Sequence, residues 1–150
     1  MCQIFSSIFI SIGVGFISQL IQGWLDSNYF NEFLKMNLIN LLIALLAINT
    51  TTMGIILTKI RDLVEAHGSG EQFKNTRQQM LLSIKEQIVL VVLSITLLTL
   101  ATSYKLLSLP NFELFINTLI SGVFVYSMRV LYDTANAVLI IIDFKNESQE

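Results

Sequence analysis

From Met36 to Thr58 the chain carries no charged residue, reads LINLLIALLAI through its middle, and is fenced by Lys35 and Lys59. A bilayer core about 30 Å thick is crossed by about 20 mostly apolar residues in a helix, so this run has the length and composition of a membrane span. Three more runs follow the same rule. Ile4 to Leu25 is uncharged and stops at Asp26, and Gln87 to Tyr104 lies between Glu86 and Lys105. Leu114 to Met128 follows Pro110 and Asn111, and Arg129 and Asp133 interrupt it before AVLIII resumes at Ala137.

A soluble core cannot absorb four such runs. The 150 residues are 53% hydrophobic and 13% charged, against about 25% charged residues in ordinary soluble domains. Nine Lys/Arg and eleven Asp/Glu are too few to cover a domain of this size in water, so lipid has to cover it. The runs are continuous over about 20 residues rather than alternating over about 10, which excludes a β-barrel. The first run lacks a basic leader and an A-x-A cleavage pattern, so it reads as a span rather than a signal peptide. The expected fold is all-α: one polytopic membrane domain over residues 1–150, with spans at about 4–25, 36–58, 87–107 and 112–132.

Basic residues orient the spans. Lys59, Arg61, Lys74, Arg77 and Lys85 lie between the second and third runs, whereas the other two loops hold Lys35 and Lys105 at their edges. The positive-inside rule puts the middle loop in the cytoplasm of a bacterial inner membrane, with both termini on the same side.

That loop, about 59–86, reads as two helical extensions rather than a linker. Ile60, Leu63 and Val64 keep helical spacing to a stop at Gly68, and Ser69 with Gln72 forms a capping box for a helix continuing through Phe73, Met80, Leu81 and Ile84. The second and third helices thus extend into a cytoplasmic hairpin turning at Gly68, Ser69 and Gly70, its Lys59 to His67 arm rising about 13 Å. Arg61, Asp62 and Glu65 on one arm and Glu71, Lys74 and Arg77 on the other make either a solvated turn or a docking surface for a cytosolic protein. Arg61, Glu65, Lys74 and Arg77 are the candidate docking residues.

Polar groups inside the spans are the other signal. Ser7, Ser11, Gly15, Gln19 and Gly23 recur every four residues in the first span, a small-residue row of the kind that lets helix backbones approach closely. The row serves helix packing or faces a lumen in an oligomer. Asn49, near the middle of the second run, is expected to face protein or water and is the candidate pore-lining residue. In the fourth run Gly122, Tyr126, Arg129, Asp133 and Asn136 share a face, with Arg129 and Asp133 spaced as an i, i+4 ion pair. Level with Lys59, Lys85 and Glu86, Arg129 and Asp133 read as an interfacial charge belt. Deep in the bilayer they would instead mark an ion path.

Much chemistry is excluded. Cys2 and His67 are the single cysteine and histidine, too few for a transition-metal site. No G-x-S-x-G, P-loop, H-E-x-x-H or dinucleotide fingerprint occurs. No enzyme, cofactor, metal or direct nucleic-acid binding is expected, and a net charge of −2 offers no basic face for nucleic acid. The expected partners are the lipid bilayer, further copies in a homo-oligomer, and a cytosolic protein.

Four short spans, internal termini and a helical cytosolic hairpin resemble the membrane component of bacterial anti-phage defence systems of the Kiwa KwaA-like kind. The resemblance implies a membrane sensor or anchor working with a cytosolic partner. An oligomeric channel that depolarises the cell and an immunity protein against a pore-forming bacteriocin are the two other functions compatible with this architecture.

Overall fold

The computed structural model describes residues 2–67 and 74–147, with side chains over 5–61, 77–106 and 108–136. It is helical throughout apart from short turns: α1 (Cys2–Trp24), α2 (Tyr29–His67), α3 (Lys74–Ala101), the single turn α4 (Tyr104–Leu107) and α5 (Phe112–Glu147). Phe5–Trp24, Tyr29–Arg61, Arg77–Ala101 and Phe112–Asn136 are long and apolar enough to cross a membrane. The expected hairpin tip at Gly68, Ser69 and Gly70 lies outside the described residues.

The α1–α2 turn and the α3–α5 connection share one end of the molecule, the turn end, because successive long helices run antiparallel. α1 closes with the Ser27 amide donating to the Gln22 carbonyl at 3.0 Å and Asp26 in the left-handed region at φ 51. This is the Schellman arrangement, with aspartate where glycine is usual. α2 begins at Tyr29, seven residues before the charge-free run starts at Met36. Glu32 in its first turn complements the helix dipole, and Lys35 meets Glu113 of α5 at 3.9 Å. Charges in the first turns of a helix therefore do not end it, and charge-free length underestimates it.

The third run departs in the other direction. It does not continue as one helix to residue 107: the Thr102 and Ser103 amides turn back to Thr99 and Leu100. The Thr102 hydroxyl donates to the Thr99 carbonyl at 2.9 Å, a local bond that competes with the helix ladder. Ser103 is extended, and α4 follows as a separate turn. Trp24, Tyr29 and Tyr104 stand highly exposed at this same end.

α5 is the central helix, packed against α1, α2 and α3. Its buried residues Ile116, Ile120, Val123, Ser127, Val130 and Thr134 alternate steps of four and three, which keeps one straight seam along a helix. In α2 the buried set Leu34, Leu38 and Leu42 recurs eleven residues later as Leu45, Asn49 and Met53, and again as Ile56 and Ile60. Eleven residues make nearly whole turns, so the seam stays on one face across almost the entire helix. α3 answers with Met80, Gln87, Leu90, Ser94 and Leu97.

Two apolar clusters result. The larger joins Leu34, Leu38, Leu42, Leu45, Leu90, Leu97, Ile116, Ile120 and Val123. The smaller, Met53, Ile56, Ile60 and Met80 with Ile84 against it, ties α2 to α3 toward the opposite end, the hairpin end. Helices α2 and α3 are therefore packed together at least as far as Ile60 and Met80.

Candidate functional site

The row of small residues in α1 turns toward α5. Ser7, Ser11 and Gln19 are 8%, 2% and 7% exposed, and a Cβ on Gly15 would stand 2.6 Å from the Thr118 carbonyl oxygen and 2.9 Å from the Gly122 nitrogen. On the other side, a Cβ on Gly122 would meet the Ile12 Cα at 3.4 Å. The two backbones touch, and Gly122 supplies half of the contact.

Gly23 departs from this row. It is exposed, and a Cβ there would meet nothing within 4 Å. A step of four residues advances about 400° around a helix, so the row slants by about 40° per step and leaves a partner helix after a few turns.

One turn beyond Gly15 the row ends in a buried amide network. The Gln19 Nε2 donates to Asn31 Oδ1 at 2.8 Å and to Ser121 Oγ at 3.1 Å, and Asn31 Nδ2 returns a bond to Gln19 Oε1 at 2.9 Å. The Asn31 amide nitrogen donates to Gln22 Oε1 at 3.3 Å. Asn117 is buried beside it and contributes its backbone carbonyl, 3.5 Å from Gln19 Nε2, while its side-chain Oδ1 has no partner among the described residues. Three helices are thus joined at the turn end by side chains that reading by apolar pattern passes over. Gln19 and Asn31 were visible as amides in or beside apolar runs, but nothing in their spacing pairs them.

A second polar cluster lies near the hairpin end. Asn49 is fully buried and donates from Nδ2 to Ser83 Oγ at 3.1 Å, and Ser83 Oγ lies 3.3 Å from Thr134 Oγ1. Among the described residues, Asn49 Oδ1 and both amide atoms of the 3% exposed Gln87 have no hydrogen-bond partner. Asn49 therefore sits on the α2–α3 seam, away from any outer surface. With α2 starting at Tyr29, it lies about 30 Å along the helix from the turn end, about midway along α2.

The residues of the charge belt divide between two settings. Glu86, Tyr126, Arg129 and Asp133 are electrostatic neighbours on α3 and α5, with Lys85 adjoining them beside a furrow. Arg129 and Asp133 are exposed and do not close to a salt bridge. Among the described residues the pair within 4.0 Å is Lys35–Glu113. The i, i+4 spacing gives the opportunity for a pair, but an exposed pair gains only about 0.2–1 kcal/mol against side-chain entropy. Lys59 is exposed on α2.

Of the docking residues, Arg61 and Arg77 are exposed. Glu65 and Lys74 fall on α2 and α3 with side chains outside the described residues. Among the described residues no group of three His, Cys, Asp or Glu could hold a metal.

The fold thus defines a class, a four-helix chain with every long helix apolar enough to cross a membrane. No protein-family model, curated protein or solved structure matches it.

Proposed function

We propose that the chain is a membrane-embedded anchor, or sensor, that holds a charged helical projection in the cytoplasm for a soluble partner. One observation carries this reading. α2, α3 and α5 span about 58, 42 and 54 Å, each more than a bilayer of about 30 Å requires. All three begin or end at the turn end, so the excess falls together at the hairpin end, where the second apolar cluster packs two of them. Lys59, Arg61, Lys74, Arg77 and Lys85 crowd that end, which supports a cytoplasmic location by the positive-inside rule.

A channel lined by α1 or by Asn49 asks for polar residues on an outer face that copies could share. The α1 row and Asn49 are turned inward, and the outward faces of α1 carry Phe9, Ile17 and Trp24 instead. Those apolar faces suit lipid and assembly into a homo-oligomer.

The test is recruitment. Reversing Lys74 and Arg77 together, K74E/R77E, abolishes co-purification of a soluble protein with the membranes and leaves the chain in the membrane fraction after alkaline extraction. Equal recovery by wild type and variant would reduce the projection to a turn. A role in anti-phage defence rests on the architectural resemblance, and the same variant tests it: lost protection in a phage plating assay supports that role, and unchanged protection removes it.

A further inference from the structure

α1 packs on α5, and α3 packs on α2 and α5, so between α1 and α3 runs a furrow with no helix in it. Its volume is about 450 Å³, within the usual range of small-molecule sites, roughly 300–1,000 Å³. Ile8 and Ile12 form one wall, Val89 and Leu93 the other. Leu119 and Gly122 form the floor, deepened because Gly122 brings no side chain.

Polarity along the furrow is one-sided. Apart from Ser11 beside Gly122, the walls and floor are hydrocarbon from the level of Leu97 to that of Leu90, and the polar residues Lys85, Glu86 and Tyr126 gather at the hairpin end. Lys85 is exposed and, among the described residues, has no salt-bridge partner within 4.0 Å. Counted back from Ala101 at the turn end, Lys85 stands about 24 Å along α3, close to the level where a bilayer's hydrocarbon gives way to headgroups. A lysine there keeps its stem along apolar surface and its ammonium at the polar boundary.

We propose that this furrow binds one glycerophospholipid, an acyl chain lying between α1 and α3 and the phosphate meeting the Lys85 ammonium. The matching order of the two molecules carries the inference: mainly hydrocarbon against hydrocarbon along the furrow, then, beside the Glu86 carboxylate, a Lys85 ammonium with no salt bridge to a described residue where a phosphate would stand.

The inference rests on the chain being embedded in a membrane, which alkaline extraction tests separately. Native mass spectrometry of the protein in mild detergent, titrated with palmitoyl-oleoyl phosphatidylglycerol or with the matching diacylglycerol, tests the site itself. The expected result is one phosphatidylglycerol per chain, held at least tenfold more tightly than diacylglycerol. Lys85→Glu lowers phosphatidylglycerol affinity at least tenfold and leaves diacylglycerol unchanged. Leu93→Trp, which fills the furrow from a partly exposed wall, lowers both, while Ile43→Trp on the outer face of α2 lowers neither. Equal binding of the two lipids, or equal binding by wild type and Lys85→Glu, overturns the proposal. So does a dimer that Leu93→Trp dissociates, which assigns the furrow to a second copy. Helical circular dichroism confirms that each variant is folded, and Lys85→Glu, an exposed change, decides the matter if Leu93→Trp does not fold.

Discussion

Gly15→Ala adds one methyl group where α1 and α5 approach most closely among the described glycines. That carbon would stand 2.6 Å from the Thr118 carbonyl oxygen and 2.9 Å from the Gly122 nitrogen, both backbone atoms with no rotamer to escape into. Reaching an ordinary contact near 3.4 Å requires α1 and α5 to part by about 0.8 Å, and a gap of 0.5–1 Å forfeits roughly a quarter to a half of each dispersion contact along the seam. Overpacking of this kind costs about 1–3 kcal/mol. Gly13→Ala is the control, because a Cβ there meets nothing within 4 Å and alanine gains about 0.5–1 kcal/mol over glycine in a helix. Gly15→Ala shares that gain, so the two alanines should differ by the overpacking cost alone, about 1–3 kcal/mol, or roughly 5- to 150-fold in the open population. Cys2→Ser with Ser11→Cys places a thiol at a position 2% exposed on the α1–α5 face, so its alkylation rate in micelles reads how often α1 lifts away. Gly15→Ala should accelerate that rate by about fivefold or more over Gly13→Ala. Equal rates would show that α1 does not pack through Gly15.

Three further outcomes follow from the same geometry. Gln19→Leu strands the buried Asn31 amide and should cost about 1–3 kcal/mol in a detergent unfolding titration, while adding Asn31→Leu should restore part of the loss; no restoration would deny that the two amides are partners. Asp26→Gly, at φ 51, relieves a left-handed aspartate and should stabilise the α1–α2 turn by up to about 1 kcal/mol in the same titration, whereas Asp26→Val should destabilise it. In a Cys2→Ser background, a cysteine at Ser69 should react with impermeant reagent only from the cytoplasmic side and one at Asn28 only from outside; the reverse pattern overturns the orientation.

How much of this was legible in the residues depends on which force wrote each feature. Span number follows from apolar length, a property of each segment alone, and four helices are found. Helix ends were read less well because charge was taken as a stop. Glu32 and Lys35 lie inside α2, where dipole and ion-pair geometry accommodate them, and the serine and threonine at 102–103 end α3 without any charge. The small-residue row was legible at Ser7, Ser11, Gly15 and Gln19 because glycine and serine stand out against isoleucine and phenylalanine. Its last member, Gly23, was misplaced because equal spacing is not a straight line on a helix. The partners of the row, Thr118, Ser121 and Gly122, could not be assigned, since no local pattern states which helix a face will meet.

Those partners matter more here than in a water-soluble bundle. Where lipid surrounds the chain, apolar side chains face a medium as apolar as the core, and hydrophobic burial no longer prefers one helix pairing to another. Phe9 at 83% exposed and Leu34 at 0% are both in hydrocarbon surroundings under that reading. The choice of neighbours falls to close backbone approach and to hydrogen bonds that lipid cannot replace. α2, α3 and α5 share two apolar clusters and the Asn49–Ser83 bond, so their association has many supports. α1 is held by the Gly15–Gly122 contact and by the amides that meet Gln19 and Gln22. It packs on α5 over the most extensive of the helix–helix contacts, tightest at Gly15, and it is also one wall of the furrow. A single methyl group at Gly15 therefore acts on α1 while leaving the three-helix projection in place, which is why alkylation at position 11 and recruitment at the hairpin end should respond to that substitution independently.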